Sequence, residues 1–279
     1  MKRNTFLHAS TLTVLAVLTL AACPTWAQVS LDGPTGLAVD SKGNLYVANQ
    51  SDSRILVYTN FVPQPQKTIT AGVNHPTGVA FDSKGNLYVT NYESNNVTLY
   101  DSNGKQKTSA TISYNVSAPI GVSVDSFNNV WVDNAARYVT MYSPFGTYLG
   151  SSTPGIAVDS IATHGAWYVL GSQFQYAQYP TGEVLTNGGI AGMASVPTQG
   201  YVLSATFDNL GNYYVGQDTG EVDKVNLSTG VISIVVPAGN GGAPWGLAVD
   251  SVHGLVYFSD INLCEIFVYS TSGQYITTF

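Results

Sequence analysis

A short motif recurs six times along this chain, and this repetition limits the folds open to it more than any other feature. Each copy is a small apolar run that ends with aspartate. The aspartates are Asp40, Asp82, Asp125, Asp159, Asp208 and Asp250. They lie 42, 43, 34, 49 and 42 residues apart, and the two irregular intervals together span nearly two regular ones. A period near 42 residues indicates that one supersecondary unit recurs.

Each unit is predicted to contain four short strands. The aspartate opens a turn, clearest in Asp40–Asn44 and Asp82–Asn86, where the sequence Asp-Ser-Lys-Gly-Asn is typical of a hairpin. A second run carries an aromatic residue at a fixed place, a third run mostly ends in tyrosine, and a weaker fourth run follows. The second-run aromatics are Tyr46, Tyr88, Trp131, Tyr168, Tyr214 and Tyr257. The third-run tyrosines are Tyr58, Tyr100, Tyr142, Tyr179 and Tyr269.

Composition supports an all-β protein. Only 10% of the residues are charged, while 28 are glycine and 18 are tyrosine, which suits short strands and tight turns better than long amphipathic helices. We therefore expect residues 34–279 to form a single domain, a monomeric six-bladed β-propeller of four-stranded antiparallel blades. The first strand of each blade should lie near the common axis, where glycine and alanine permit close approach.

The first residues have the pattern of an export signal. Lys2 and Arg3 form a basic start, and residues 11–22 form an apolar stretch too short to span a membrane as a stable helix. Leu20-Ala21-Ala22-Cys23 resembles a bacterial lipobox, which predicts a signal peptide of residues 1–22 and lipidation of Cys23. A small-residue site ending at Ala27 also fits, and it predicts a signal of residues 1–27. Residues 23–33 would then be an N-terminal linker.

Charge excludes one class of partner. Removing residues 1–22 leaves 8 basic and 17 acidic residues, a net charge of −9, and no basic stripe with interleaved aromatics is present. We therefore expect no nucleic-acid ligand, because phosphate backbones would be repelled. A lipid anchor at Cys23 would be the only membrane contact. The two cysteines, Cys23 and Cys264, predict no disulfide framework.

Two stretches resemble the NHL repeat almost residue for residue. They are Pro34–Tyr58 and Pro76–Tyr100, which share the pattern P-x-G-[VL]-A-[VF]-D-x-x-G-N-[LI]-Y-V-[AT]-[ND]. The third and sixth units resemble it well, and the fourth and fifth only at the aspartate and aromatic positions. The resemblance implies a six-bladed propeller. It does not fix a function, because NHL propellers include protein-binding, RNA-binding, sensor and enzymatic members.

The residue pattern predicts no catalytic site. A side chain that recurs in every unit, as the aspartates and tyrosines do, is expected to cap turns or pack blades, whereas an active site occurs once. Three histidines remain after export, and they are predicted to lie on opposite faces. His75 precedes a first strand, while His164 and His253 lie in turns at the other end, about 17–20 Å away. No cofactor is expected.

One enzymatic alternative stays open. The chain also resembles the gluconolactonase-like propellers, which implies a metal-dependent hydrolase or lyase with a divalent metal held by oxygen ligands at the channel mouth. Here the corresponding positions hold Thr35, Thr77, Ile120, Leu203 and Trp245. Only Asp32 offers an acid nearby, and one carboxylate is too few for a hard cation.

The leading hypothesis is an exported binding or scaffold protein of the bacterial cell envelope, either a lipoprotein or a secreted or periplasmic protein. Loops between blades and between second and third strands should share one face, and aromatic residues on loops favour recognition of a protein, peptide or glycan. The predicted ligand-binding residues are His75, Tyr92, Glu93, Phe174, Trp245 and Asp260. An insertion over Asn187–Gly200 joins them.

Overall fold

A computed structural model describes residues 30–59, 62–135, 138–152, 160–164, 167–171, 183–186, 189–193, 200–226, 229–240 and 242–279. Apart from a 3-10 turn at Thr108–Ala110, the regular elements of these ranges are β-strands, which confirms the all-β prediction. Each strand pairs antiparallel with a sequence neighbour. In the described ranges, no helical segment has the length and apolarity that a bilayer crossing requires.

The first three blades come from consecutive strands. Blade 1 contains β1 (Pro34–Val39), β2 (Leu45–Asn49), β3 (Arg54–Tyr58) and β4 (Lys67–Ile69). Blade 2 contains β5 (Pro76–Phe81), β6 (Leu87–Asn91) and β7 (Asn96–Tyr100). Blade 3 contains β8 (Pro119–Val124), β9 (Val130–Asn134), β10 (Tyr138–Tyr142) and β11 (Tyr148–Ser152).

Two hairpins and two further blades follow. The hairpins are β12 (Ser160–His164) with β13 (Trp167–Gly171), and β14 (Glu183–Thr186) with β15 (Gly189–Met193). Blade 4 contains β16 (Val202–Phe207), β17 (Asn212–Gln217), β18 (Val222–Asn226) and β19 (Val231–Val236). Blade 5 contains β20 (Gly246–Asp250), β21 (Leu255–Asp260), β22 (Glu265–Ser270) and β23 (Tyr275–Thr278).

The prediction of six four-stranded blades is wrong, because the described residues form five blades, of which blade 2 has three strands, and two separate two-stranded hairpins. The repeat alignment failed at Asp159. It placed a first strand at Gly155–Asp159, whereas the described strand, β12, begins at Ser160. Through its pairing with Trp167, His164 corresponds to Val39, Val124 and Phe207, the residues that precede the aspartate in other units. The Asp-x-x-Gly-Asn turn is missing from this part of the sequence.

Blade 2 lacks a regular outer strand. Two isolated bridges replace it, one between Val97 and Ile112 and one between Tyr100 and Gln106. The segment from 106 to 112 is longer than the strand from 97 to 100 that it faces, and the 3-10 turn at Thr108–Ala110 takes up the excess. A continuous ladder therefore cannot form here.

The first strands surround an axial channel. β1, β5, β8, β12, β16 and β20 lie side by side around it, and all begin at the same end. We call the end with Thr35, Thr77 and Trp245 the upper face. The opposite end, where first strands turn into second strands, is the lower face. Residues at or just before the start of the different first strands therefore share the upper face.

Glycine lets neighbouring first strands approach closely. A Cβ atom on Gly36 would lie 2.6 Å from the carbonyl oxygen of Thr77, in the next blade. A Cβ atom on Gly246 would lie 1.9 Å from the carbonyl oxygen of Thr35, where blade 5 meets blade 1. Both distances are too short for any other residue. The hydroxyl of Ser259 also donates a 2.6 Å hydrogen bond to the Thr35 carbonyl, which fastens the two blades together.

The aspartates of the lower face cap turns, as the sequence predicted. In blade 2, Asp82 Oδ1 accepts hydrogen bonds from the backbone N–H groups of Lys84 and Asn86, at 2.9 and 2.8 Å. The Asn86 side chain donates to Oδ2. The same pattern holds at Asp40, Asp125 and Asp208. In blade 5 the turn differs, because His253 Nδ1 lies 2.6 Å from Asp250 Oδ2 in place of the asparagine amide. Asp159 lies outside the described residues.

Candidate functional site

The axial channel has two chambers. A constriction of about 70 Å³ lies at the upper face, and Thr77, Ile120 and Trp245 line it together with glycines of the first strands. A wider cavity of about 240 Å³ lies at the lower end. The inner edges of the first strands have no strand partner on the channel side, so their backbone polar groups point toward the axis. Side chains of several blades converge at the upper constriction.

Trp245 is positioned at this constriction by its backbone. It precedes β20, and its N–H donates a 2.9 Å hydrogen bond to the Ser259 carbonyl of β21. The indole Nε1–H is buried and has no hydrogen-bond partner. A buried N–H without an acceptor costs about 1–3 kcal/mol, and tryptophan usually finds a partner when it is buried. The indole N–H is therefore an unsatisfied donor at the constriction.

The replaced threonines explain why tryptophan is tolerated. In blades 1 and 2, the hydroxyls of Thr35 and Thr77 donate to the carbonyls of the next blade's first proline, at 3.2 and 2.7 Å. Blade 5 makes its corresponding bond from Ser259 on β21 instead. The residue before β20 is therefore not needed for this interblade hydrogen bond, and a large aromatic side chain can occupy its position.

Three of the predicted ligand-binding residues meet on the upper face of blade 2. His75 Nδ1 lies 3.4 Å from Glu93 Oε2, although the two atoms do not form a hydrogen bond. The Tyr92 N–H donates to the His75 carbonyl at 3.0 Å, and the Tyr92 side chain is 41% exposed. His75 precedes Thr77 of the constriction by two residues. The cluster is therefore an exposed rim beside the channel mouth.

Asp260 has a different environment. It is 1% exposed, and its Oδ1 atom accepts hydrogen bonds from the N–H groups of Asn262 and Leu263, at 2.7 and 2.9 Å. Its geometry is that of a turn cap at the start of the β21–β22 loop. Phe174 lies outside the described residues, as does most of the insertion, of which only β15 and Gly200 are described. Ligand binding by all six predicted residues, and by the insertion, remains a prediction.

The metal alternative finds little in the described ranges. Asp32 is placed by its N–H, which donates a 2.7 Å hydrogen bond to Asn49 Oδ1. Within those ranges, no group of three or more His, Cys, Asp or Glu side chains is arranged to hold a metal ion. His75 lies on the upper face beside Glu93, and His253 on the lower face beside Asp250.

Cys264 departs from the sequence-based expectation. Its sulfur is part of a disulfide, whereas the sequence predicted none. The sequence contains one other cysteine, Cys23, which lies outside the described residues.

Sequence analysis missed a buried pair of carboxyl groups in blade 4. Glu221 and Asp223 are 7% and 3% exposed, and the side-chain amide of Gln217 donates to both, at 3.2 and 2.8 Å. Burial raises the pKa of Asp223 to about 6, the Glu221 carboxylate adds to the rise, and the bond from Gln217 opposes it. Gln217 could have indicated this pair from the sequence, because blades 1 to 3 have asparagine at the end of the second strand.

Comparisons with known proteins identify the repeat and the fold. A family model described as NHL repeat matches residues 31–58 and 73–98, in blades 1 and 2. The search of curated proteins finds no match. A streptogramin B lyase structure has a TM-score of 0.66 at 16% identity, over 90% of this chain and 86% of that chain. Virginiamycin B lyase from Staphylococcus aureus has a TM-score of 0.61 at 15% identity, over 88% and 84%.

A nidogen/laminin complex also matches, with a TM-score of 0.63 at 15% identity, over 78% of this chain and 85% of that chain. At these identities the likeness concerns the fold alone. The chain therefore has a β-propeller fold, and its residues 31–58 and 73–98 match the NHL repeat.

Proposed function

We propose that this chain is a non-catalytic binding protein whose ligand is held on the upper face, with Trp245 as its anchor. The observation that carries the proposal is the buried, unpartnered indole N–H at the channel constriction. A ligand that places a carbonyl or hydroxyl oxygen there removes the cost of the unmet hydrogen bond. Peptides and glycans both offer such acceptors, and both pack well against aromatic rings.

The rim on blade 2 gives the ligand a second contact. Tyr92 is exposed, and Glu93 is 54% exposed beside His75, so this rim combines an aromatic ring with a carboxylate. Exposed loop residues on a rigid β scaffold are well suited to recognition, because the scaffold fixes their relative positions. The nidogen/laminin complex shows that a propeller of this fold occurs in a protein complex.

Trp245→Thr is the direct test, because it restores the residue that stands at this position in blades 1 and 2. Binding should be measured by calorimetry on ligands first selected from peptide and glycan arrays. We expect affinity to fall at least tenfold while the free energy of unfolding changes by less than about 1 kcal/mol. Ile234→Ser, at a 55% exposed site on the rim of blade 4, is the matched control and should leave affinity unchanged.

Two outcomes would contradict the proposal. A sharp fall in the denaturation midpoint of Trp245→Thr with unchanged affinity would show that the indole plugs the channel. A rise in melting temperature with Ca²⁺, Zn²⁺ or Mn²⁺ would instead favour the metal-dependent hydrolase or lyase, since binding at ten times the Kd adds about 1.4 kcal/mol.

We further propose that the chain is exported to the cell envelope. The basic start, the apolar stretch over residues 11–22 and the disulfide at Cys264 support this, because disulfides persist in oxidising compartments. We expect the mature chain to begin at Cys23, and intact mass measured before and after reduction would check it. An added diacylglyceryl group marks lipidation, and a gain of two hydrogens on reduction marks a disulfide. A mature chain that begins at Gln28 would lack Cys23, and it would contradict both the expected start and lipidation at Cys23.

A further inference from the structure

Among the residues that the structure describes, the lower face presents five equivalent turn positions. In each of the five capped turns, the residue two places after the aspartate donates its backbone N–H to Oδ1 of that aspartate, at 2.9–3.0 Å. These residues are Lys42, Lys84, Phe127, Leu210 and Val252. Because the same bond fixes all five, their side chains occupy corresponding places around the lower end of the channel. We call them the turn ring.

The turn ring combines two kinds of side chain. Phe127, Leu210 and Val252 are 57%, 82% and 65% exposed, which is unusual for apolar residues at three corresponding positions. Lys42 and Lys84 are exposed as well, on the adjacent blades 1 and 2. The ring thus has an apolar arc and a basic arc.

Further lysines strengthen the basic arc. Lys105 lies in a turn of blade 2, and Lys67 Nζ donates to the Asn103 carbonyl of that turn at 2.6 Å. Lys107 Nζ donates to Asn86, in the turn that begins at Asp82. Lys224 Nζ lies 3.7 Å from Asp208 Oδ2. All six lysines within the described residues therefore belong to the lower face.

The acidic groups of this face are engaged. Asp82, Asp125, Asp208 and Asp250 are at most 9% exposed, and their oxygens accept the hydrogen bonds of the turns. Asp101 is the more open one, and backbone N–H bonds, chiefly from Lys105, together with the Lys105 and Lys107 charges, lower the pKa of its carboxyl. Glu93, by contrast, is an exposed carboxylate of the upper face.

We propose that the lower face docks on an anionic lipid bilayer, with Phe127, Leu210 and Val252 inserted at the headgroup level and the lysines against the headgroups. A bilayer can contact both arcs at once, because its anionic headgroups attract the lysines and its apolar layer accepts the apolar side chains. The turn tips of the ring lie around one end of the molecule, so they can all touch a flat surface. An acidic protein would satisfy the basic arc alone. This inference is separate from the ligand proposed for the upper face.

The net negative charge of the chain does not prevent such docking. At physiological ionic strength the screening length is about 8 Å, whereas a six-residue first strand spans about 20 Å. A bilayer in contact with the lower face therefore interacts mainly with the lysines of that face. Each lysine near an anionic surface strengthens binding about fivefold.

The test is cosedimentation with lipid vesicles. All variants carry Cys23→Ser in the full chain, so that no lipid on residue 23 holds the protein on the membrane. Vesicles of phosphatidylcholine with about three phosphatidylglycerols in ten lipids should bind the protein, and vesicles of phosphatidylcholine alone should bind it much more weakly. Lys42→Gln with Lys84→Gln should weaken binding about thirtyfold. Phe127→Ser with Leu210→Ser and Val252→Ser should weaken it at least tenfold.

Matched controls lie elsewhere on the surface. Arg54→Gln removes a cation near the upper face, and Ile234→Ser removes an exposed apolar side chain from the rim of blade 4. Neither should change vesicle binding, and unchanged melting temperatures would show that all variants fold. Emission from Phe127→Trp should shift to shorter wavelength on anionic vesicles, whereas emission from Ile234→Trp should not.

The proposal fails if anionic vesicles do not bind the protein at low salt, or if the controls lose as much affinity as the turn-ring variants. Soluble polyglutamate serves as the competing probe. Lysine-dependent binding to polyglutamate without binding to vesicles would identify an acidic protein as the partner and would overturn the bilayer.

Discussion

Replacing Asp125 with alanine is expected to lower the free energy of unfolding by about 3–4 kcal/mol. The Asp125 carboxylate is 4% exposed and accepts four hydrogen bonds, from the N–H groups of Phe127 and Asn129, the Asn129 amide and the Trp131 indole. Alanine would leave these donors without their acceptor, and bonds to a charged acceptor are the stronger kind. Urea denaturation followed by fluorescence would measure the change.

Two companion variants separate the capping role from other effects. Asp125→Asn keeps one oxygen acceptor and should recover part of the lost stability. Asp101→Ala removes a carboxylate that accepts the same two backbone bonds in an exposed turn, so it should move the denaturation midpoint only slightly. An Asp125→Ala protein as stable as the wild type would contradict the structural role assigned to the repeated aspartates.

Replacing Asp223 with asparagine is expected to stabilise the protein at pH 7.5 by about 2–3 kcal/mol. The Asp223 carboxyl has a pKa of about 6 in the folded chain, against about 3.9 when unfolded, and each unit of difference corresponds to about 1.4 kcal/mol. Asparagine retains an oxygen that can accept the bond from Gln217 and carries no charge to bury. Denaturation at pH 4, 6 and 7.5 would measure the effect.

The direction in which stability changes with pH follows from proton binding. The folded chain holds a proton on Asp223 between about pH 4 and pH 6 that the unfolded chain has released, so the stability of the wild type falls as pH rises through this window. Asp223→Asn should remove this part of the decline and show no gain at pH 4. Asp52→Asn, at a 29% exposed side chain on the upper face, should change stability by less than about 0.5 kcal/mol. A variant less stable than the wild type at pH 7.5 would contradict the assignment.

Regular units could be predicted because their turns are determined locally. The sequence Asp-Ser-Lys-Gly-Asn supplies the capping carboxylate, the glycine with positive φ and the asparagine amide, so the turns at Asp40 and Asp82 need no distant contact. The fourth unit could not be placed in the same way. Its described first strand, Ser160–His164, follows the aligned aspartate in the chain, and only the pairing of this strand with Trp167–Gly171 reveals its position.

Features that depend on tertiary contact also escaped prediction. The loss of the outer strand in blade 2 depends on how residues 106–112 fold against β7. The pairing of Glu221 with Asp223 depends on burial by the surrounding strands, which sequence spacing does not report. The upper-face cluster of His75, Tyr92 and Glu93 was predictable, because all three flank strand ends on one side of a single blade.

The close contacts at Gly36 and Gly246 show that closure of the ring of blades is limited by the first strands around the axis, which we call the hub. Neighbouring backbones touch there, so the circumference of the hub is the sum of a few short interstrand distances, and a single added methyl group would widen it. Outer strands contribute nothing to that sum. The periphery formed by the outer strands can therefore lose a strand, as in blade 2, or accept an insertion without opening the ring. New binding loops can arise there with little loss of stability.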